Sequence, residues 1–239
     1  MISAIFNGFI YKPIYNLLIA ITAVVPGGDV GFAVILLTII TKIALYPLSQ
    51  KAVLAQKAMR EIEPHVQKVR KEVKDPTEQF RQLQAIYKEH KVNPFSSFLL
   101  LFIQIPILYA LFFVVNDIKV VAENLYSFTP VPANLNTMFI GLLDVTSPAI
   151  VVTLLVVVTQ YILASMMAPV PVKREPGKEL TFSEEFTRSM GTQTKYVLPL
   201  VIGAISFNLA SAISLYWITN NIFSIGQEWW AKRNSQTGV

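Results

Sequence analysis

Residues 30–49 read VGFAVILLTIITKIALYPLS, twenty residues with a single charge at Lys42. An α-helix rises 1.5 Å per residue, so about 20 apolar residues cross the roughly 30 Å hydrocarbon core of a bilayer. This stretch is therefore expected to span a membrane. Residues 96–116, 148–168 and 196–227 repeat the signal without any charge. The last of these, at 32 residues, is too long for one helix, and its small, polar middle at 208–214 suits a tight turn between two short spans. The expected fold is an all-α membrane protein with five transmembrane helices, at 30–49, 95–116, 148–168, 196–210 and 211–229.

Composition agrees. The chain has 239 residues, of which 53% are hydrophobic and 15% charged; an ordinary soluble domain carries about a quarter charged. The absence of cysteine excludes disulfides, thiolate metal sites, a cysteine nucleophile and a lipid anchor on cysteine. The start, MISAIFNGFIYKP, lacks the basic region of a cleavable signal peptide and puts Lys12-Pro13 inside an apolar stretch. Residues 5–25 are apolar but interrupted and rich in aromatics. Residues 1–29 are therefore expected to form an N-terminal interfacial segment lying along the membrane. Pro26-Gly27-Gly28-Asp29 then turns the chain into the first span.

The loops set the orientation. Residues 50–94 hold ten Lys/Arg and six Asp/Glu, whereas residues 117–145 hold one basic and three acidic residues. Residues 169–195 hold five basic residues, and the tail carries Lys232 and Arg233. Basic loops stay on the cytoplasmic side. The pattern gives an N-terminus outside and a C-terminus inside, with 117–147 extracytoplasmic and 50–94, 169–195 and 230–239 cytoplasmic. The net charge of +5 is thereby accounted for without nucleic acid.

The first basic loop has its own helical pattern. Ile62, Val66, Val69 and Val73 recur at helical spacing, as do Phe80, Leu83 and Tyr87. Between them Asp75 is a candidate N-cap, with Pro76 at the first helical position and Glu78 three residues after the cap. This predicts a cytoplasmic helical hairpin of helices 50–74 and 76–90, ended by Asn93-Pro94. The loop 169–195 holds Pro169, Pro171, Pro176 and Gly177 and is expected to carry at most one short helix near 182–190.

Lys42 is the one charged side chain inside the four apolar blocks. A charge at that depth costs about 2.5–3.5 kcal/mol. With no carboxylate in those blocks, the offset must come from water, hydroxyls, amides or carbonyls. Thr38 lies one turn before Lys42. Gln104 lies in the second span, Thr159 and Gln160 in the third, and Ser214, Trp217, Asn220 and Asn221 in the fifth. Taken singly, each hydroxyl or amide is equally well explained by a bond to its own backbone or a neighbouring helix. Taken together, Lys42, Thr38, Gln104, Gln160, Trp217 and Asn221 are the candidates for lining a wet cavity around one positive charge, which could attract an acidic or polar chain segment or bind an anion.

The chain resembles the YidC/Oxa/Alb family of membrane protein insertases. GFAVILLTIITKIALYPLSQKA at 31–52 is similar to the family's first core span, and MREIEPHVQKVRKEVKDPTEQFRQLQAIYKEHKVNPF at 59–95 to its basic hairpin. LLLFIQIPILYALF at 99–112 resembles its glutamine-proline span, and SLYWITNNIFSIGQ at 214–227 its last span. The resemblance covers about residues 6–227. It implies a five-helix core whose hydrophilic groove opens to the cytoplasm and to lipid and is closed on the outer side. The groove would take polar segments of nascent membrane proteins and release hydrophobic ones into lipid. Implied partners are those nascent chains, the ribosome, the Sec translocon and the bilayer. The implied place is the cell inner (cytoplasmic) membrane, with the thylakoid membrane as the alternative. Most bacterial members carry arginine where this chain has Lys42. They often carry proline and glycine where this chain has Ala210-Ser211-Ala212, so that turn is expected to stay helical longer. The large periplasmic domain of Gram-negative members is missing, which marks a minimal member or a trimmed form.

The main rival is a small multi-spanning transporter or channel for an anionic solute. Against it stand the lack of an acidic coupling residue in a span and of an inverted repeat. No enzyme is expected: there is no carboxylate pair in a span and no GxSxG or HExxH, and His65 and His90 both fall in the hairpin. No catalytic residue, metal or cofactor follows. The hairpin lacks an aromatic array for stacking bases, so no direct nucleic-acid specificity is expected. Because the chain has no cysteine, topology is testable with single cysteines. Gln84→Cys should be protected from impermeant thiol reagents added outside intact cells and Asn134→Cys should react; the reverse labelling would invert the topology.

Overall fold

The computed structural model describes residues 6–93, 96–116, 118, 120–167, 189 and 191–236. After a π-helical turn at Asn7–Tyr11 come α1 (Lys12–Val24) and α2 (Val30–Ala44). They are followed by α3 (Tyr46–Glu72), α4 (Pro76–Glu89), α5 (Ser96–Asn116) and α6 (Ile150–Met167). A second π-helical turn, Gln193–Val197, leads into α7 (Leu198–Ser206), and α8 (Ser211–Gln236) ends the described chain. Helix α8 packs against α2, α3, α5, α6 and α7. By length and composition α6 alone qualifies as a membrane span among the described residues, and α2 with α3 qualifies only as a bent pair.

The first span is not one straight helix. Helix α2 ends at Ala44, and α3 leaves it at 68°. Pro47 explains the break: it has no N–H to donate, and its ring would collide with the carbonyl four residues earlier. It fits instead in the first turn of a new helix, with Leu45 at φ −89° and ψ 1° as the corner. At 15 residues α2 is only about 22 Å long. The hairpin accordingly begins at Tyr46 rather than at residue 50. Its tip follows the expected chemistry: Asp75 caps α4 by accepting from the Thr77 and Glu78 amides at 3.3 and 3.2 Å. Hydrogen bonds from Arg81 and Gln82 hold the Glu78 carboxyl below its ordinary pKa. Ile62, Val66 and Val92 form a small core of their own, with Leu83, Ile86 and Tyr87 against it. Phe80, read as part of that stripe, is 63% exposed.

The segment expected to lie along the membrane is built into the bundle. Tyr15, Leu18 and Ile19 of α1 are at most 2% exposed and belong to the main core with residues of α2 and α5. Apolar residues flank α1 on two sides, so it has two neighbours to face. Asn16, buried among them, is fully used. Its Nδ2 donates to the carbonyls of Lys12 and Asn124 at 2.7 and 2.8 Å. Its Oδ1 accepts from the Tyr126 amide and the Thr129 hydroxyl, both at 2.7 Å. The Tyr15 hydroxyl accepts from the Val121 amide at 2.7 Å. These bonds fasten the 120–129 loop to α1.

The end of the bundle opposite the hairpin is closed by further hydrogen bonds. Two short antiparallel strands, β1 (Met138–Phe139) and β2 (Leu143–Asp144), form there, an addition to the expected all-α fold. Asp29 caps α2 through the Phe32 amide at 3.1 Å, and its other oxygen accepts from the Ile140 amide at 2.9 Å. Gly28 has φ 66°, and its backbone carbonyl accepts from the Asn136 amide at 2.9 Å. A Cβ at Gly28 would run into the Asn134 backbone. Ser211 puts its amide and hydroxyl on the Ser147 carbonyl at 3.0 and 2.6 Å, and the Ala212 amide meets the Val145 carbonyl at 2.9 Å. With these orphan amides satisfied, α8 starts at Ser211. The turn read at 208–214 therefore spans only 207–210, and the longer helix expected around Ala210-Ser211-Ala212 does not form, because α7 stops at Ser206. The short helix expected near 182–190 lies outside the described residues apart from Ser189.

Asn16→Leu keeps the branched shape of the side chain but strands the groups that Asn16 serves. Thermal unfolding in detergent should show a loss of roughly 1–3 kcal/mol, whereas Gly8→Ala, which meets open space, should leave the melting temperature unchanged. Equal melting of the two variants would contradict the role given to Asn16.

Candidate functional site

Sequence periodicity puts Ser214, Trp217, Asn221, Ser224 and Glu228 on one side of α8, three or four residues apart. Four of these five side chains bond to a different helix. Ser214 and Ser206 of α7 share a hydrogen bond between hydroxyls at 2.7 Å. Asn221 donates to Thr159 Oγ1 of α6 at 3.2 Å. Ser224 accepts from the Lys42 ammonium of α2 at 3.0 Å. Glu228 accepts from Arg60 of α3 at 3.5 Å. The adjacent row adds two more links: Gln104 of α5 donates to the Tyr216 hydroxyl, and Gln227 donates to Ser49 of α3 at 2.9 Å. Helix α8 is thus joined by a polar contact to each of α2, α3, α5, α6 and α7. The ladder from Ser214 to Glu228 climbs about 21 Å.

Lys42 sits in the last turn of α2, because that helix ends at Ala44. Three influences offset its charge. One is the Ser224 hydroxyl. Another is the Phe223 ring, whose centroid lies 5.9 Å from Nζ. The third is the negative end of the α2 dipole. The side chain is half-buried, and the ion pairs recorded among the described residues lie elsewhere, at Lys57–Glu61, Arg60–Glu228 and Arg81–Glu78.

The other candidates separate into two groups. Asn221 is 1% exposed and meets Thr159 one turn of α8 from the Lys42 contact. Trp217 is half-buried on the same side of α8, and Gln160 is buried beside Thr159. Thr38 is buried, but its hydroxyl bonds to the Val34 carbonyl of its own helix at 2.7 Å. Gln104 reaches Tyr216 rather than Lys42. Ser224, the direct partner of Lys42, was not among the candidates. Its signal was present in the sequence, since it continues the Ser214, Trp217, Asn221 spacing by three residues.

Polar satisfaction differs between the two ends. Towards the β-hairpin end, Asn16, Asp29, Ser206, Ser211 and Ser214 all have partners. From mid-bundle towards the helical hairpin, four buried polar atoms have none among the described residues: Asn220 Oδ1, Gln50 Oε1, Ser165 Oγ and Arg60 Nε. Buried polar atoms without protein partners mark places where water is expected. Among the described residues no group of three or more His, Asp or Glu side chains could hold a metal. His65 and His90 face each other across the helical hairpin with ring centroids 5.9 Å apart.

Comparison with known proteins gives a consistent answer. Residues 21–237 match the family model described as 60Kd inner membrane protein. A membrane protein insertase YidC of Clostridium tetani is 30% identical over 212 residues, covering 88% of this chain and 85% of the relative. One from Syntrophobacter fumaroxidans is 28% identical over 214 residues, covering 86% of this chain but 35% of the relative. One from Nitratidesulfovibrio vulgaris is 28% identical over 232 residues, covering 95% and 39%. The chain therefore spans most of the first relative's length and little more than a third of the other two. Among solved structures, an active YidC insertase with its first transmembrane domain resolved is similar at a TM-score of 0.51. That likeness covers 82% of this chain and 40% of the other at 23% identity, and it speaks for the fold alone.

Proposed function

This chain belongs to the 60Kd inner membrane protein family, and from that premise we propose that it is an insertase that takes polar segments of nascent membrane proteins into a groove beside α8 and releases their hydrophobic segments into lipid. The observation that carries this reading is the Lys42 ammonium on Ser224, held among apolar helices with no carboxylate paired to it among the described residues. Taken with the orphaned polar atoms of Gln50, Ser165 and Asn220, it supports a water-filled recess open towards the helical hairpin. The bonds of Asp29, Asn16 and Ser211 support a seal at the opposite end. A seal of that kind argues against a through-going channel.

The mechanism is one of graded solvation. A polar chain segment entering lipid alone must shed its water, at several kcal/mol for each unsatisfied group. Inside a wet recess it keeps most of that water. The positive charge of Lys42 favours segments bearing Asp or Glu. The short α2 leaves less than the full hydrocarbon thickness for such a segment to cross. The hydrophobic part of the substrate then leaves sideways, driven by about 25 cal/mol for each Å² of apolar surface removed from water. No covalent step is involved and no cofactor is needed.

In the same reading the N-terminus faces outward and the C-terminus inward, following the loop charges. The membrane is the cell's inner membrane. The basic helical hairpin faces the cytoplasm, where nascent chains arrive from the ribosome, directly or with the Sec translocon.

Reconstitution into liposomes with two single-span substrates tests this, one with an acidic and one with a neutral translocated tail. Lys42→Arg should retain insertion. Lys42→Ala should slow the acidic-tailed substrate roughly fivefold, as expected for losing about 1 kcal/mol of attraction between charges in a wet site. Lys42→Glu should slow it further. Melting temperature should not fall in parallel, since removing an unpaired charge relieves a cost. Normal insertion of both substrates by Lys42→Ala would show the charge to be dispensable; unfolding would make Lys42 a structural donor.

A further inference from the structure

Arg60 stands where the helical hairpin leaves the bundle. It lies on α3 beyond the bend at Leu45 and just before the separate Ile62, Val66, Val92 core. Its side chain is 19% exposed. One terminal nitrogen donates to the Met166 carbonyl at 3.0 Å, and the other to Glu228 Oε1 at 3.5 Å. Met166 is in the last turn of α6, where carbonyls have no partner within their own helix. Glu228, 5% exposed, lies one turn along α8 from Ser224, the residue that holds Lys42. Lys232, one turn further, donates to the same Met166 carbonyl at 3.1 Å. Three helices, α3, α6 and α8, are therefore clasped at one point.

We infer that Arg60 is a positioning residue of the insertase: by bridging Glu228 and the end of α6 it holds the hairpin at a set angle over the open end of the groove. The inference rests on the insertase reading above. Two features of the fold favour such a role, beside the packing of α3 on α5 and the Ser49–Gln227 bond. Beyond Arg60 the hairpin is packed on its own small core, so it can move as a unit if its root is released. The 68° bend at Leu45 also leaves α3 without a straight helical continuation from α2 to stiffen it. A guanidinium fork serves two acceptors in different directions at once, whereas an ammonium is a point charge without that fork. The arrangement also puts the hairpin root and the Lys42 contact on neighbouring turns of one rigid helix. A segment guided along the hairpin is thereby delivered beside Lys42.

The test uses the full chain in liposomes, spin-labelled at Gln84→Cys on α4 and Val158→Cys on the exposed side of α6. Pulsed dipolar spectroscopy reads the distance between the labels, and insertion of the acidic-tailed and neutral-tailed substrates is measured on the same samples. Arg60→Gln and Glu228→Gln should each broaden the distance distribution. They should slow both substrates alike by about three- to tenfold, the size that remote couplings reach. Loss independent of tail charge separates this role from direct attraction of the substrate. Arg60→Lys, which keeps the charge, should fall between, and it supplies the same readings if Arg60→Gln does not fold. An unchanged distance distribution in the variants overturns the inference. A broadened distribution with normal insertion overturns it too, while leaving the insertase reading intact. Wild-type protein that inserts neither substrate sinks that reading and the positioning role together.

Discussion

The hydrogen bond from the Lys42 ammonium to the Ser224 hydroxyl imposes the constraint that the rest of the bundle obeys. A charge in an apolar setting must be paired, hydrogen-bonded or wet. Among the described residues no carboxylate pairs with Lys42, and one hydroxyl with one aromatic ring cannot stand in for a full hydration shell. In the proposed insertase the helices around it therefore leave room for water on one side and exclude it on the other. Helix α8 provides for both. Its bonds to Ser206, Thr159 and Gln104 hold the surrounding helices at fixed heights, and among the described residues buried polar atoms without a partner lie on α8 at Asn220 and on its neighbours at Gln50, Arg60 and Ser165.

The same logic explains why hydrogen bonding is concentrated at the β-hairpin end. Under the proposed function, a recess that accepts polar chains must not become a pore. The seal is made largely of backbone groups held by a few side chains: Asp29 on the Ile140 amide, Asn16 on the 124–129 loop, and Ser211 on the Ser147 carbonyl. Contacts of this kind engage backbone groups of the loops directly and hold them against the helix ends. At the hairpin end the corresponding contacts are made by long, charged side chains, Arg60 and Lys232 among them.

Much of this was legible in the sequence, for identifiable reasons. The apolar blocks, the Asp75 cap and the isolation of Lys42 are local features that periodicity and capping chemistry expose directly. The bend at Leu45 was signalled by Pro47, but the apolar run continued through it and suggested one span. The burial of α1 was not visible because an apolar helix with a broken start looks alike whether it meets lipid or protein. Asn16, a polar residue in an apolar stretch, is a buried anchor, and only the fold of the distant 120–129 loop reveals its use. At the site, Asn221 and Lys42 were recognisable as polar residues in apolar surroundings. Ser224 and the link from Arg60 to Glu228 required knowing which residues of α2 and α3 come to rest against each turn of α8. Thr38 was placed correctly one turn from Lys42, yet its hydroxyl is spent on its own backbone, a choice that spacing cannot reveal.

The central claim is that water reaches α8 from the hairpin side as far as the Lys42 contact and not to the far end of the ladder. Spin labels at Ser224→Cys and Ser214→Cys, with Ile222→Cys as a lipid-facing reference, can be compared in liposomes by their relaxation with a water-soluble nickel chelate and with oxygen. The account predicts strong relaxation by the chelate at 224, little at 214, and a preference for oxygen at 222. Equal exclusion of the chelate from 224 and 214 would mean a dry bundle and would contradict it.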